Sequence, residues 1–239
     1  MTRDELLRLA ESGNVDAMIA VAELYEKEGT VKSVYIAVEW YEKAAELENQ
    51  YASLKAAANC ITLARVFEDN DLDDEALNMW QRGYINAGGG ILYANGDMSN
   101  HDIAIEMEEE CAYGIAMQNY INRDLDSAMN ILKTISNKNC IRANLLYAIC
   151  LRDSINRVYT ESEKDVMKAH IVTAFADGAD YVTRAVVGNA RHMEQLVFAR
   201  ATHLLSLLLD KETAHYVLTK AHQALTDESA IREIEEDLN

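Results

Sequence analysis

The 239-residue sequence contains no proline. Average usage of about 5% would place roughly a dozen in a chain of this length. Proline interrupts helices and terminates sheet ladders, so its absence suits a nearly all-helical chain. Basic residues are also scarce: 22 Lys and Arg stand against 40 Asp and Glu, a formal net charge of -18. Binding nucleic acid requires clustered cations that displace counterions from phosphates, so this balance argues against a nucleic-acid ligand and equally against an anionic membrane. Only four cysteines occur, Cys60, Cys111, Cys140 and Cys150, with no C-x-x-C spacing. They lie in apolar helical patterns and read as buried free thiols in a reducing compartment. No apolar run reaches the length of a membrane span, and the opening MTRDELLRLAESG has no apolar stretch of the signal-peptide kind. The expectation is a cytoplasmic protein.

Apolar residues make up 49% of the chain, enough for a continuous core. The charge is lopsided: residues 1–110 carry 8 basic and 23 acidic side chains, residues 111–239 carry 14 and 17. An acidic front half steers a basic partner or, more simply, keeps a helical surface solvated.

Thr2 and Glu5 form a capping-box pattern ahead of Leu6, Leu7 and Leu9, predicting a short amphipathic helix that ends at Gly13. Asn14 caps the next, whose buried face runs through Ala17, Val21, Leu24 and Tyr25. Gly29 stops it. Ser33 is the cap expected for a further helix lined by Ile36, Ala37, Trp40, Tyr41, Ala44 and Ala45.

This pair of helices recurs. The pattern Val21-Ala22-x-x-Tyr25, then Ala37-x-x-x-Tyr41-x-x-Ala44, is repeated by Leu63-Ala64-x-x-Phe67, then Ala76-x-x-x-Trp80-x-x-Gly83. Looser copies follow. One contains Ile115, Ala116, Ala128, Leu132 and Ile135, another Tyr147, Ala148, Leu151, Ala169, Thr173 and Ala176, and a last one Ala201, Thr202, Leu205, Ala214, Leu218 and Ala221. Small residues let the two helices of a pair approach while bulky ones fill the groove beside them. One pair cannot bury both its faces, so neighbouring pairs must stack.

In the first copy Ala10, Gly13, Ala17, Ala22, Tyr25, Gly29, Val31, Ala37, Trp40, Tyr41, Lys43, Ala44 and Ala45 spell A-x-x-G, Y-x-x-x-G-x-V and A-x-x-W-Y-x-K-A-A. The chain thereby resembles the tetratricopeptide class, and this copy its Sel1-like branch. That resemblance implies an all-α, right-handed superhelical solenoid of stacked antiparallel helix pairs. It also implies a concave face, lined by the first helix of each pair, on which a protein or peptide partner lies.

Two places break the pattern. Asn86-Ala87-Gly88-Gly89-Gly90 reads as a flexible break, followed by a turn at Asn95-Gly96-Asp97 and a helix restarting at Ser99 or Asn100. No strand precedes the glycines and no G-K-S/T follows, so they do not form a phosphate loop. The expected organisation is acidic Sel1/tetratricopeptide-like repeats over 1–87, a glycine-rich hinge or exposed loop over 88–100, and further repeats over 101–239 ending in a capping helix that starts at Asp227. The polar run 152–164 reads as a projecting loop.

No constellation for covalent chemistry stands out, and no catalytic, cofactor or metal residues are assigned. His192, His203, His215 and His222 crowd the last fifth of the chain but lack an H-E-x-x-H or H-x-x-x-H pair. The acidic clusters at Asp69, Asp71, Asp73, Asp74 and Glu75, and at Glu106, Glu108, Glu109 and Glu110, have no EF-hand order and lie in hydrophilic runs. They read as caps and solvated faces. There is no G-x-S-x-G elbow.

A binding surface is the better use of the residues. The repeat register places Asp16, Ile19, Glu23 and Lys27 of the first copy, Ile61, Arg65 and Glu68 of the second, and Tyr113, Met117 and Tyr120 of the third on the concave helices. Aromatics and methionine there serve as anchors for a partner or pack against the next repeat. The expected function is a protein- or peptide-binding adaptor or scaffold, with open solenoid ends that allow a homodimer. Two alternatives are an acidic inhibitor that mimics nucleic acid at a partner's basic site, and an enzyme whose site forms across the hinge.

Overall fold

Thr2 begins the first helix as the sequence predicts: its hydroxyl accepts from the Glu5 amide at 3.2 Å, and the Glu5 carboxylate accepts from the Thr2 amide at 2.9 Å. In the computed structural model the described residues are 2–94, 98–135, 141–154 and 211–238, with isolated helical positions at 195, 199, 202, 203 and 206. They contain helices and short connections, with no strand among them. The helices are α1 (Arg3–Glu11), α2 (Val15–Glu28), α3 (Val31–Ala45), α4 (Gln50–Glu68), α5 (Asp73–Leu92), α6 (Met98–Ile121), α7 (Leu125–Ile135), α8 (Ile141–Ser154), α9 (Lys211–Ala224) and α10 (Glu228–Leu238). The chain divides into two compact units, Met1–Gln118 and Asn119–Asn239.

Local chemistry sets the helix ends. Asn14 accepts from the Ala17 amide to start α2, and Gly29, at φ 67°, ends it in the left-handed conformation that glycine adopts without strain. The cap of α3 is Thr30 rather than Ser33. Ser33 sits three residues into the box and its hydroxyl accepts from the Thr30 amide, so the helix starts one turn earlier than the sequence reading placed it. Asn49 caps α4, while α5 has no side-chain cap and opens on Asp73, Asp74 and Glu75. Those carboxylates face the positive end of the helix dipole, as expected of this acidic cluster.

In the first unit consecutive helices pack in pairs, α1 on α2, α2 on α3, α3 on α4 and α4 on α5. The small residues of the repeat pattern, Ala22, Ala37, Ala44, Ala64 and Ala76, are all fully buried. One hydrogen bond at an equivalent position joins the two helices of each pair. The Tyr41 hydroxyl donates to Glu26 at 2.9 Å, and the Trp80 indole donates to Glu68 at 2.8 Å. Glu26 and Glu68 each follow the aromatic of the first helix, and Tyr41 and Trp80 occupy the same position of the second.

Side chains also tie alternate helices. Tyr51 donates to Glu23, and Lys55 and Asn59 to Glu26, which joins α4 to α2. Arg65 pairs with Glu110 at 2.8 Å, which joins α4 to α6. Where the pattern substitutes Gly83 for Ala44, space is the cause: a Cβ on Gly83 would sit 2.7 Å from the Cys111 sulfur and 3.3 Å from the Cys60 Cβ. On Gly114 it would overlap the buried Trp80 indole.

The expected glycine-rich hinge is corrected by the fold. Residues 86–90 are helical, α5 continues to Leu92, and α6 begins at Met98, so the expected loop of 88–100 shrinks to the stretch between those helices. Buried helix contacts override the low helix propensity of glycine here. A Cβ on Gly90 would meet a Leu54 methyl carbon at 2.8 Å and the Ala104 Cβ at 3.3 Å, so the close packing of α5 here favours a residue without one.

In the second unit α7 packs on α8 and α9 on α10. Asp227 caps α10 as expected, accepting from the Ser229 and Ala230 amides. Leu218 and Ala221 of α9 meet Ala230 and Ile234 of α10 in one buried cluster. The amide of Gln195 clamps the connection between them, accepting from the Thr226 and Asp227 backbone N–H groups at 2.9 Å each. Of the 152–164 loop only Arg152, Asp153 and Ser154 are described, and they end α8; the remainder, His192 and the second helix of the fourth copy lie outside the described residues.

Candidate functional site

Most of the side chains expected to form a concave partner surface have other occupations. On α2, Glu23 accepts from the Tyr51 hydroxyl at 3.2 Å, and Ile19 is half-buried against the core; Asp16 and Lys27 are exposed. On α4, Ile61 is buried, Arg65 is paired with Glu110, and Glu68 accepts from both Trp80 and Gln118. On α6, Tyr113 and Met117 are only 2% and 3% exposed. Tyr120, in the second unit, donates to Asp153 at 3.4 Å. Ile61, Tyr113 and Met117 are therefore corrected from partner anchors to core residues. The aromatic and apolar character that suggested an interface is used for packing within the chain.

An open cavity lies elsewhere in the first unit, between the end of α3, the first turn of α4 and the end of α5. It encloses about 270 Å³ and is lined by Glu42, Ala45, Glu46, Ser53, Arg82, Ile85, Asn86, Gly89 and Tyr93. Its floor is a bidentate pair. The Arg82 guanidinium donates to both Glu42 oxygens, at 3.0 Å through Nε and 2.6 Å through Nη2, and Asn86 donates to the same carboxylate at 3.0 Å. Arg82 also stacks over the Tyr35 ring, 5.0 Å from its centre. The Glu42 contact outweighs burial and raises the Arg82 pKa, so this guanidinium is a fixed positive charge held against the Glu42 carboxyl group.

The walls are held by α4 against α5. Gln50 donates to the Gly90 carbonyl at 3.0 Å. Gly89 leaves room for Ser53, whose hydroxyl oxygen would lie 3.1 Å from a Cβ on that glycine. Ser53 is 1% exposed, and its hydroxyl has no hydrogen-bond partner among the described residues. Glu46 stands at the mouth with no ion pair among the described residues. The cavity thus offers two groups that can accept hydrogen bonds, an already neutralised Arg–Glu pair, and the exposed side chain of Ile85 at its edge. Its lining contains no histidine or cysteine.

Sequence reasoning missed this place because it treated 86–90 as a break in a helix. The signal was there: Ile85, Gly88, Gly89 and Leu92 follow the i, i+3, i+4, i+7 spacing of a helix face, and glycine inside a helical pattern calls for a packing or binding reason.

Among the described residues three free thiols, Cys60, Cys111 and Cys150, are buried, as expected; Cys140 lies outside the described residues. Burial pushes Cys60 and Cys150 up to about 12 and raises Cys111 as well, so none is a thiolate near neutrality. Among the described residues no group of His, Cys, Asp and Glu is arranged to hold a metal, and no helix is long and apolar enough to cross a membrane. No protein-family model matches the chain, and no curated protein matches its sequence.

Proposed function

We propose that the protein is a protein- or peptide-binding adaptor built from tetratricopeptide- or Sel1-like helix pairs stacked as a right-handed solenoid, with no covalent chemistry of its own. The observation that carries this reading is the open cavity at the α3–α4–α5 junction, flanked by an exposed apolar side chain, Ile85, on a body where Glu23, Arg65 and Glu68, three of the other candidate polar anchors, are internally paired. The recurring Glu26–Tyr41 and Glu68–Trp80 ties support repetition of one structural module. The reading moves the contact surface from the first helices of the pairs to the α5 side.

A photo-crosslinking residue at position 85, introduced into the protein in its native cells, tests it. A discrete protein adduct from position 85, absent from a control at the exposed Leu9, is expected. No adduct from position 85, at natural expression and without competitor, overturns the reading.

The charge of the first 110 residues supports a second reading, an acidic inhibitor that occupies a basic nucleic-acid-binding site. Such binding is electrostatic throughout and collapses in about 0.5 M salt, where charges are screened beyond a few ångströms. Adducts that persist at that salt favour the adaptor.

A further inference from the structure

The three consecutive glycines of α5 meet different surroundings. Gly90 packs against Leu54 and Ala104, where a Cβ would force the Leu54 methyl to shift; Gly89 clears the Ser53 hydroxyl. Around Gly88 there is nothing: a Cβ there has no atom within 4 Å. Glycine inside a helix is less favourable than alanine, and packing within the chain gives no reason for this one. On the same face, one turn to either side, Ile85 and Leu92 are 71% and 75% exposed. The result is an apolar stripe with bare backbone at its middle, and the cavity opens beside it, lined by Ile85 and Gly89. A helix laid along such a stripe brings its own backbone close at Gly88 and packs side chains over Ile85 and Leu92.

Charge selects the occupant. Glu42 is satisfied by Arg82 and Asn86, which leaves Glu46 and the unpartnered, buried Ser53 hydroxyl to receive a donor. Both accept hydrogen bonds, and the lining sets two acidic side chains, Glu42 and Glu46, against one basic one, Arg82. The surrounding unit is acidic, with 8 basic and 23 acidic side chains in residues 1–110 and none of either in 111–118. A second copy of the chain would bring like charge against like, and an acidic or phosphorylated peptide would do the same.

We propose that the Ile85–Gly88–Gly89–Leu92 face of α5 docks a basic amphipathic helix of a partner protein, with one cationic side chain of that helix entering the cavity to donate to Glu46 and Ser53. This rests on the adaptor reading and specifies its partner. The apolar stripe supplies the buried contact, and the cation fixes register along it.

The test uses the full chain and a fluorescein-labelled synthetic helical peptide that presents leucines one heptad apart, with alanine and lysine between them on the same face. A control peptide has glutamate for the lysine. Fluorescence anisotropy is expected to show binding of the lysine peptide and none of the control. Glu46→Lys should weaken binding by about tenfold or more, as loss of a specific charge contact does. Gly88→Leu should abolish binding, and Gly88→Ala should weaken it by about threefold while the melting temperature rises, because the added methyl favours the helix but blocks close approach. That opposite movement of stability and affinity separates a docking role from damage to the fold. The proposal is overturned if the lysine peptide fails to bind or if these variants leave its affinity unchanged. It is also overturned if Ile85→Glu dissolves a homodimer seen by sedimentation equilibrium. A crosslink from position 85 to an acidic or extended partner segment sinks this inference and leaves the adaptor reading standing. No crosslink at all sinks the adaptor reading.

Discussion

The helix pairs α2–α3 and α4–α5 solve one problem with different chemistry. In both, an aromatic of the second helix donates to a glutamate at the end of the first: Tyr41 to Glu26, Trp80 to Glu68. The supporting donors differ. Glu26 also receives both contacts of the Lys55 ammonium at 3.1 Å and the Asn59 amide at 3.3 Å, whereas Glu68 receives the Gln118 amide at 3.2 Å. The repeated feature is thus a position and a direction, a carboxylate met by an aromatic N–H or O–H, and the remaining lone pairs are filled by whatever the next helix offers. A half-buried carboxylate tolerates this substitution of partners as long as its hydrogen bonds are made.

The largest way to break the comparison is through the bulk of the second aromatic. Trp80→Ala should lower unfolding free energy by about 3–5 kcal/mol, measured by urea denaturation, because the indole is fully buried and its loss leaves a cavity. Gly114→Ala attacks the same ring from the other side and should cost about 1–3 kcal/mol through overpacking. Next come the polar halves of the two ties. Tyr41→Phe removes one donor from Glu26 at nearly constant volume and should cost about 1–3 kcal/mol; Trp80→Phe removes the matching donor from Glu68 together with part of a fully buried ring and should cost at least as much.

A smaller effect sharpens the contrast in acid. Burial alone would raise the Glu26 pKa, but hydrogen bonds from Lys55, Tyr41 and Asn59, with the charge of Lys55, outweigh it and hold the carboxyl below its ordinary value. Such a group contributes stability that is complete above the unfolded carboxylate value, about pH 4.3, and is lost as pH falls through the folded one. Glu26→Gln should therefore flatten the acid limb of a stability profile below about pH 4.3, with little change in its slope between pH 6 and 8, roughly the range where neither form titrates. Lys55→Met should shift that limb toward higher pH. The smallest effect lies outside both ties: Gly88→Ala should stabilise the chain by about 0.5–1 kcal/mol, since nothing obstructs the added methyl.

The helix starts at Thr2, Asn14 and Asp227, the small-residue stripe and the repeated aromatic were legible because each depends on chemistry within a few residues. The site was not, and for a physical reason. Whether Tyr113 faces solvent or the core depends on which helices lie across it, which spacing along one helix does not state. The glycine run shows the same limit in reverse. Local propensity argues for a break, but Gly90 is helical where the close packing of Leu54 and Ala104 favours a residue without a side chain, a contact made over 36 residues of chain in one direction and 14 in the other. Glu23, Arg65 and Glu68 were placed on the correct helices, yet their charges are taken up by Tyr51, Glu110, Trp80 and Gln118.

Gly83 has a consequence for how this sequence can drift over generations. Its missing side chain is the space that the Cys111 sulfur and the Cys60 methylene occupy. An alanine at 83, which the repeat pattern would otherwise favour, becomes acceptable only after one of those cysteines has become smaller, and a larger residue at 60 or 111 is acceptable only while 83 stays glycine. The three positions lie on three helices and are far apart in the chain, so their history should read as one coupled choice: descendants should carry either glycine with two cysteines or alanine with a smaller neighbour, and rarely a mixture.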